Sequence, residues 1–228
     1  MLNKEAAIIP WSTQYPVEEV VFVDPNRKLL AFSVWTDVYL VNGTVVRKEP
    51  NNEGDTHTEA ILREATIYSM LGEHPRIAEC ISAGSDFIEI KYYPNGDLRS
   101  YAKENQDSIT PDLLKKWFQQ IVEAIVEIHE YEVIHSDLAL KQFLLDDNLD
   151  ARLCDFGASQ YPGHIALGNE GEPAYFLPRD WDAPNSVRSG MFALGSTLYE
   201  LVANKSPFSE LYTDEPLEVR TTRDPVIY

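Results

Sequence analysis

Two aspartates constrain this chain more than anything else in it. The stretch from Val133 to Gly157 reads VIHSDLALKQFLLDDNLDARLCDFG, with Asp137 and Asp155 near its ends. Phe143-Leu144-Leu145 predicts a short buried strand, Asp147-Asn148-Leu149-Asp150 a turn, and Ala151 to Cys154 a returning strand. Such a hairpin brings Asp137 and Asp155 to one end. Two acids converging there suit metal-assisted chemistry on a polyphosphate: one holds a hard cation, and the other orients a hydroxyl and takes its proton. The plainer alternative is an ordinary buried hairpin with aspartates in its turns.

The remaining residues supply a frame. Residues 1–19, with Pro10 and Pro16, read as an irregular leader. Val20 to Val23 and Leu29 to Val34 have strand composition. Asp37 to Val41 and Thr44 to Lys48 predict a hairpin closed by Asn42-Gly43, because both residue types accept positive φ. His57 to Gly72 has helical periodicity, with Ile61, Ala65, Tyr68 and Leu71 on one face. Phe87 to Tyr92 alternates like a strand, and Tyr93 to Leu98 turns into a helix. Thr110-Pro111 is a cap followed by a first-turn proline, opening a helix that runs to His129. Its stripe of Leu114, Trp117, Phe118, Ile121, Ile125 and Ile128 predicts core. Ser189 to Val202 is an apolar helix.

Charge narrows the partners. In 228 residues, 37 acids against 19 bases leave a net charge of −18. That repels nucleic acid and anionic membranes, and no basic run overrides it. A solvated surface explains the charge, with a basic partner or substrate peptide as the specific alternative. Cys80 and Cys154 lie in apolar contexts and predict free buried thiols in a reducing compartment. Cys154, beside Asp155, is also a candidate for attack by an electrophile. The first ten residues lack a signal-peptide pattern, and no apolar run reaches membrane-spanning length. An intracellular protein, cytoplasmic or nuclear, is expected.

His135-Ser136-Asp137 followed by Asp155-Phe156-Gly157 resembles the catalytic loop and magnesium loop of the eukaryotic protein-kinase superfamily, and the overall look is similar to small fungal protein-kinase-like proteins. The resemblance runs in order from about Leu29 to Phe208. It implies an α+β, bilobal fold: a small β-rich lobe over 20–92 and a helical large lobe over 93–228 that lacks the last helices. It implies ATP and Mg²⁺ as cofactors. Val45-Val46-Arg47-Lys48 resembles the third-strand motif whose lysine meets the α and β phosphates. Glu64 is the helix acid to pair with Lys48, with Glu59 as fallback. By the same resemblance, Asp137 is the base, Lys141 steadies the transferred phosphate, and Asp155 with Gln142 holds the metal. The nucleotide pocket falls on Val38, Val46, Lys48, Ile90 as gatekeeper, Lys91, Tyr92 and Tyr93 at the hinge, Asp97 on the ribose side, Leu144 and Asp155. His135 packs beneath the loop. Ser159, Tyr161 and Tyr175 are candidate phosphosites.

The departures from the family pattern are specific. The three glycine positions of the phosphate loop are Ala31, Ser33 and Thr36. Ser136 replaces the arginine that reads an activation-loop phosphate, Gln142 replaces a metal-binding asparagine, and Ala139 replaces a lysine. Gly190 stands where the family has an aspartate, and Leu177-Pro178-Arg179 replaces Ala-Pro-Glu. Two functions follow. One is slow phosphoryl transfer from Mg-ATP to a hydroxyl, serine/threonine by default, with Ala139 and Lys141 leaving tyrosine open. The other is an inactive pseudokinase serving as a binding scaffold. A truncated product of marginal stability is a third.

Overall fold

The computed structural model describes residues 7–8, 20–21, 26–52, 54–180 and 182–211. Most of the expected leader, Phe22 and Val23 of the first expected strand, and the chain after Leu211 lie outside these. Strand β1 (Ala7–Ile8), inside the leader expected to be irregular, pairs antiparallel with β2 (Val20–Val21) just after it.

An antiparallel five-stranded sheet forms the first half. Its strands are β3 (Arg27–Phe32), β4 (Thr36–Val41), β5 (Val45–Pro50), β6 (Cys80–Ala83) and β7 (Ile88–Lys91), in the spatial order β3-β4-β5-β7-β6. Asn42 (φ 51°) and Gly43 (φ 75°) make the tight turn between β4 and β5, a geometry whose twist matches that of the strands it joins. The register puts Val38 opposite Lys48 and Val46 opposite Ile90. With a two-residue repeat, these four side chains share one face of the sheet.

Helix α1 (Asp55–Leu71) packs on that sheet and ends at Gly72, whose φ is 63°. It begins two residues before the expected start. Its buried face is Ala60, Ile61, Arg63, Glu64, Ile67, Tyr68 and Leu71, so two charged residues share the apolar stripe.

The second half is helical. Asp97 caps α2 (Leu98–Glu104) by accepting the Ser100 N–H at 2.9 Å. Thr110 caps α3 (Pro111–Glu130) by accepting the Leu113 N–H at 3.2 Å. The hairpin between the aspartates is β8 (Phe143–Leu145) against β9 (Ala151–Leu153). Helix α3 holds it: Trp117 Nε1–H donates to the Leu149 carbonyl and the Ala151 N–H donates to Gln120 Oε1, both at 2.8 Å. Helix α4 (Val187–Ala203) opens with a reciprocal cap between Ser186 and Ser189.

The α3 stripe is narrower than its period suggests. Trp117, Ile121, Ile125 and Ile128 are buried, but Phe118 is 42% exposed. Phe118 lies one residue beyond the Trp117 position, about 100° around the helix, at the rim of the buried arc.

Candidate active site

Strand β5 ends in a lysine that would be costly to bury alone. Lys48 is 7% exposed. Its Nζ lies 3.0 and 2.9 Å from the two carboxylate oxygens of Glu64 and 2.6 Å from Asp155 Oδ1. Burial works to lower the lysine, and the adjacent Asp155 and Glu64 charges overcome it and hold Lys48 well above its ordinary value. Burial likewise pushes Asp155 up, but the Lys48 ammonium prevails and leaves it below the usual carboxylate range. Burial pushes Glu64 up, with Lys48 pulling against it. Glu59 instead pairs with Arg63 at 2.7 Å, with about half its side chain in solvent.

Asp137 sits across the same space. Its Oδ1 accepts the Gly171 N–H at 3.2 Å, and its Oδ2 accepts Gln142 Nε2–H at 2.8 Å. Gln142 is on a short 3₁₀ turn, Leu140–Gln142, and is buried. With its amide nitrogen facing Asp137, its Oε1 is left over as an oxygen donor. Lys141 Nζ stands 3.8 Å from Asp137 Oδ2 and 3.8 Å from Glu172 Oε1. Beneath the loop, His135 Nε2–H donates to the Cys154 carbonyl at 2.9 Å, and burial holds its imidazole below the ordinary value.

A turn at residues 33–36 closes over these groups. The Ser33 N–H donates to the Thr36 carbonyl at 2.8 Å, and the Thr36 N–H donates to Ser33 Oγ at 3.0 Å. Polar side chains thus tie the tip where the family places glycines. The indole of Trp35 reaches the other wall: a Cβ placed on Gly168 would lie 3.3 Å from the indole tip. The cavity beneath this turn is about 100 Å³, lined by residues 33–36, Ala60, Glu64, Asp137, Asp155, Gly157 and Ala158.

The other pocket candidates do not line this cavity. Val46 and Ile90 are buried, while Val38 and Leu144 are partly buried against the core. Asp97 and Leu144 form a β-bridge, so the α2 cap is stitched to β8. At the end of β7, the Lys91 N–H donates to the Glu79 carbonyl and the Tyr92 N–H to the Thr44 carbonyl, both at 2.9 Å. Tyr93 is 3% exposed, and its hydroxyl accepts the Glu79 N–H at 3.0 Å. Its ring therefore belongs to the core, and its carbonyl accepts the Gly96 N–H at 3.0 Å.

Three sequence expectations are corrected. Cys154 is buried, its thiol donates to the Gln142 carbonyl at 3.3 Å, and burial raises it far above an ordinary thiol. It is not poised for an electrophile. Ser159 is 0% exposed, with its hydroxyl on the His135 carbonyl. Tyr175 is 1% exposed, with its hydroxyl on Glu200. Neither is presented to a modifying enzyme.

Sequence reasoning also missed a network beside Asp137. Arg99 on α2 reaches Glu172 at 2.7 Å and Glu200 on α4 at 2.8 Å. Arg179 pairs with Glu170 at 3.6 Å and donates to Asn169 at 3.1 Å and to Asn185. The arginine that reverses the family's charge thus finds its acid within the same segment. The partners of Arg99 lie 73 and 101 residues away, and no local pattern announces either arginine's contacts.

A sequence model of the protein kinase domain matches residues 39–224. The chain belongs to the protein kinase family. The domain is 33% identical over 160 residues to serine/threonine-protein kinase Nek3 of Mus musculus, a match covering 66% of this chain and 31% of that protein. It is 30% identical over 165 residues to the SNF1-like protein kinase ssp2 of Schizosaccharomyces pombe, covering 69% and 28%. It is 27% identical over 184 residues to the CBL-interacting serine/threonine-protein kinase 5 of Arabidopsis thaliana, covering 76% and 40%. The chain spans less than half the length of these relatives. The kinase domain's architecture is α+β, an antiparallel-sheet half and a helical half. Protein kinase domains in general use ATP and Mg²⁺. The donor set here fits that metal, since Asp155 and Gln142 offer the hard oxygens Mg²⁺ prefers, and the Asp155 side chain keeps 44% of its surface open. Among the described residues, no helix is long and apolar enough to cross a membrane.

Proposed function

We propose that this chain is a phosphotransferase that moves a phosphoryl group from Mg-ATP to a serine or threonine hydroxyl on a protein, and that it turns over slowly. One observation carries the proposal: Asp137, Asp155 and Glu64 line a single cavity, with Lys48 held between Glu64 and Asp155. The small lobe is taken as 20–92 and the large lobe as 93–228, with the nucleotide between them. Bound Mg-ATP supplies the phosphoryl group, and its metal offsets charge on the β and γ phosphates. Asp155 and Gln142 hold the metal. Lys48, kept charged by its two carboxylates, faces the α and β phosphates. Val38, Val46, Ile90 and Leu144 enclose the base, with the 91–93 backbone at its edge and Asp97 near the ribose. Asp137 orients the substrate hydroxyl and takes its proton, and Lys141 neutralises charge beside it.

Slowness follows from three features. Gln142 reaches the metal through one methylene more than asparagine, and Mg²⁺ tolerates poor geometry badly. Asp137 already accepts a hydrogen bond on each oxygen. The cavity of about 100 Å³ admits a triphosphate only after residues 33–36 lift. The last feature also favours the second reading, a scaffold whose cleft stays shut.

A thermal-shift titration separates the two. Ligand that binds only the folded state raises Tm, by about 2–4 °C per kcal/mol in a chain of this size. Mg-ATP is expected to raise the wild-type Tm by several degrees, with Lys48→Met and Asp155→Ala losing most of that rise. An unmoved wild-type Tm at millimolar Mg-ATP would exclude the phosphotransferase and leave the scaffold.

A further inference from the structure

Arg63 precedes the Lys48 partner Glu64 on α1, and it is as deeply placed. It is 3% exposed. A guanidinium at that depth needs acceptors in fixed positions. Its Nη1 donates to the Ser159 carbonyl at 2.6 Å and to the Ile165 carbonyl at 2.7 Å. Its Nη2 meets Glu59, one turn back on the same helix, at 2.7 Å. The guanidinium also stands 5.3 Å from the centre of the Tyr161 ring.

Both carbonyls belong to the segment that follows Asp155-Phe156-Gly157. Ser159 passes the connection onward, since its hydroxyl donates to the His135 carbonyl at 2.8 Å. Gln160 and Ile134 exchange backbone hydrogen bonds at 2.8 and 2.9 Å. One side chain therefore ties the helix carrying Glu64 to the segment leaving Asp155 and, through it, to the loop carrying Asp137.

Nothing in this arrangement needs a phosphate. From Gly157 to Gly171 the only hydroxyl side chains are Ser159 and Tyr161. Ser159 is buried with its hydroxyl engaged. The residue before Asp137 is Ser136, with φ 67° and its hydroxyl on the Ile134 carbonyl, so it offers no positive charge. Arg63 is the cation nearest Tyr161 among the described ring contacts, and both its terminal nitrogens already have acceptors. A switch that orders a loop by phosphorylation works by pairing new phosphate oxygens with unengaged arginines.

We infer that Arg63 is a positioning residue that fixes the activation segment to α1 in the unphosphorylated chain, so that Glu64 stays on Lys48 without modification of the segment. The consequence for activity rests on the phosphotransfer reading above. The tie itself is independent of nucleotide.

Hydrogen–deuterium exchange of the full chain without nucleotide tests it, with α3 as internal reference. Wild type and Tyr161→Phe, each with and without phosphatase treatment, are expected to protect residues 157–171 equally. Arg63→Met keeps the bulk and removes every donor. It should speed exchange at 157–167 and in the first turns of α1 at least about tenfold while α3 stays unchanged. Arg63→Lys, which can serve one acceptor, should restore part of the protection. Should Arg63→Met fail to fold, Glu59→Gln at its exposed partner gives the same peptides a smaller rise.

Loss of protection on phosphatase treatment alone would overturn the inference. So would an Arg63→Met effect spread evenly into α3, which marks a general loss of stability, or an unaffected segment. A Mg-ATP titration of the same proteins reads the other proposal separately. Absent wild-type binding with the exchange pattern intact removes phosphotransfer and leaves the tie. Present binding should weaken several-fold in Arg63→Met and recover partly in Arg63→Lys.

Discussion

Glu170 shows how a single buried charge can work against its own fold. It is 2% exposed, and its pairing with Arg179 spans 3.6 Å. Burial pushes its carboxyl above the ordinary 4.5, with Arg179 pulling the other way. The folded protein therefore binds this proton more tightly than the unfolded chain does. The group's contribution to stability is greatest below the unfolded value of 4.5, and it declines as pH rises toward the raised folded value. Glu170→Gln removes that slope. The stability of the variant relative to wild type should improve as pH rises above the ordinary 4.5 and level off once the raised folded value is passed, as read by urea denaturation across a pH series. A difference that does not change with pH would show that the burial of Glu170 carries no such cost. Lys48 is the contrasting case, because two carboxylates within hydrogen-bond reach repay its burial.

At the level of elements, the hairpin bearing Asp155 depends on α3 more than on its own strands. Each strand is three residues long, and Trp117 and Gln120 satisfy backbone groups at its turn. Trp117→Phe keeps most of the buried ring and orphans the Leu149 carbonyl. Equilibrium denaturation should show a loss of about 1–3 kcal/mol, and no loss would mean that water replaces the indole donor. Elements of this kind divide cleanly by how local their causes are. The Asn42-Gly43 turn, the Thr110 cap and the strand pair after Asp137 were legible because adjacent residues cause them. The strand Cys80–Ala83 was not, since four residues ending before Gly84 carry no period worth reading. Phe118 fits the helical period yet lies outside, because the period gives a direction and not the width of the neighbour. Arg63 was invisible for a stronger reason: its two carbonyls lie 96 and 102 residues away. The resemblance pointed to the Lys48–Glu64 pair, but the contact of Lys48 with Asp155 and the hydrogen bonds of Asp137 to Gln142 and Gly171 lie in no local pattern.

Across the whole molecule, backbone hydrogen bonds, ion pairs and buried cations join the sheet half to the helical half. Lys48 to Asp155, Arg63 to Ser159 and Ile165, and the Ile77–Leu153 bridge all cross that boundary. Two of these contacts involve buried cations, which lose far more when separated from their partners than an exposed pair does. The halves are thus expected to respond together to anything that enters between them. Trp35 stands at the mouth of that boundary, its indole edge against Gly168. The chain contains four tryptophans, and Trp117 is fully enclosed, so its emission is a fixed background. Admission of Mg-ATP should carry Trp35 from a packed surface into water and shift the protein's fluorescence to longer wavelength, an effect that Trp35→Phe removes. The residue that shuts the cleft is therefore also its optical reporter: without any added label, the time course of the emission change would give the rate at which the cleft opens.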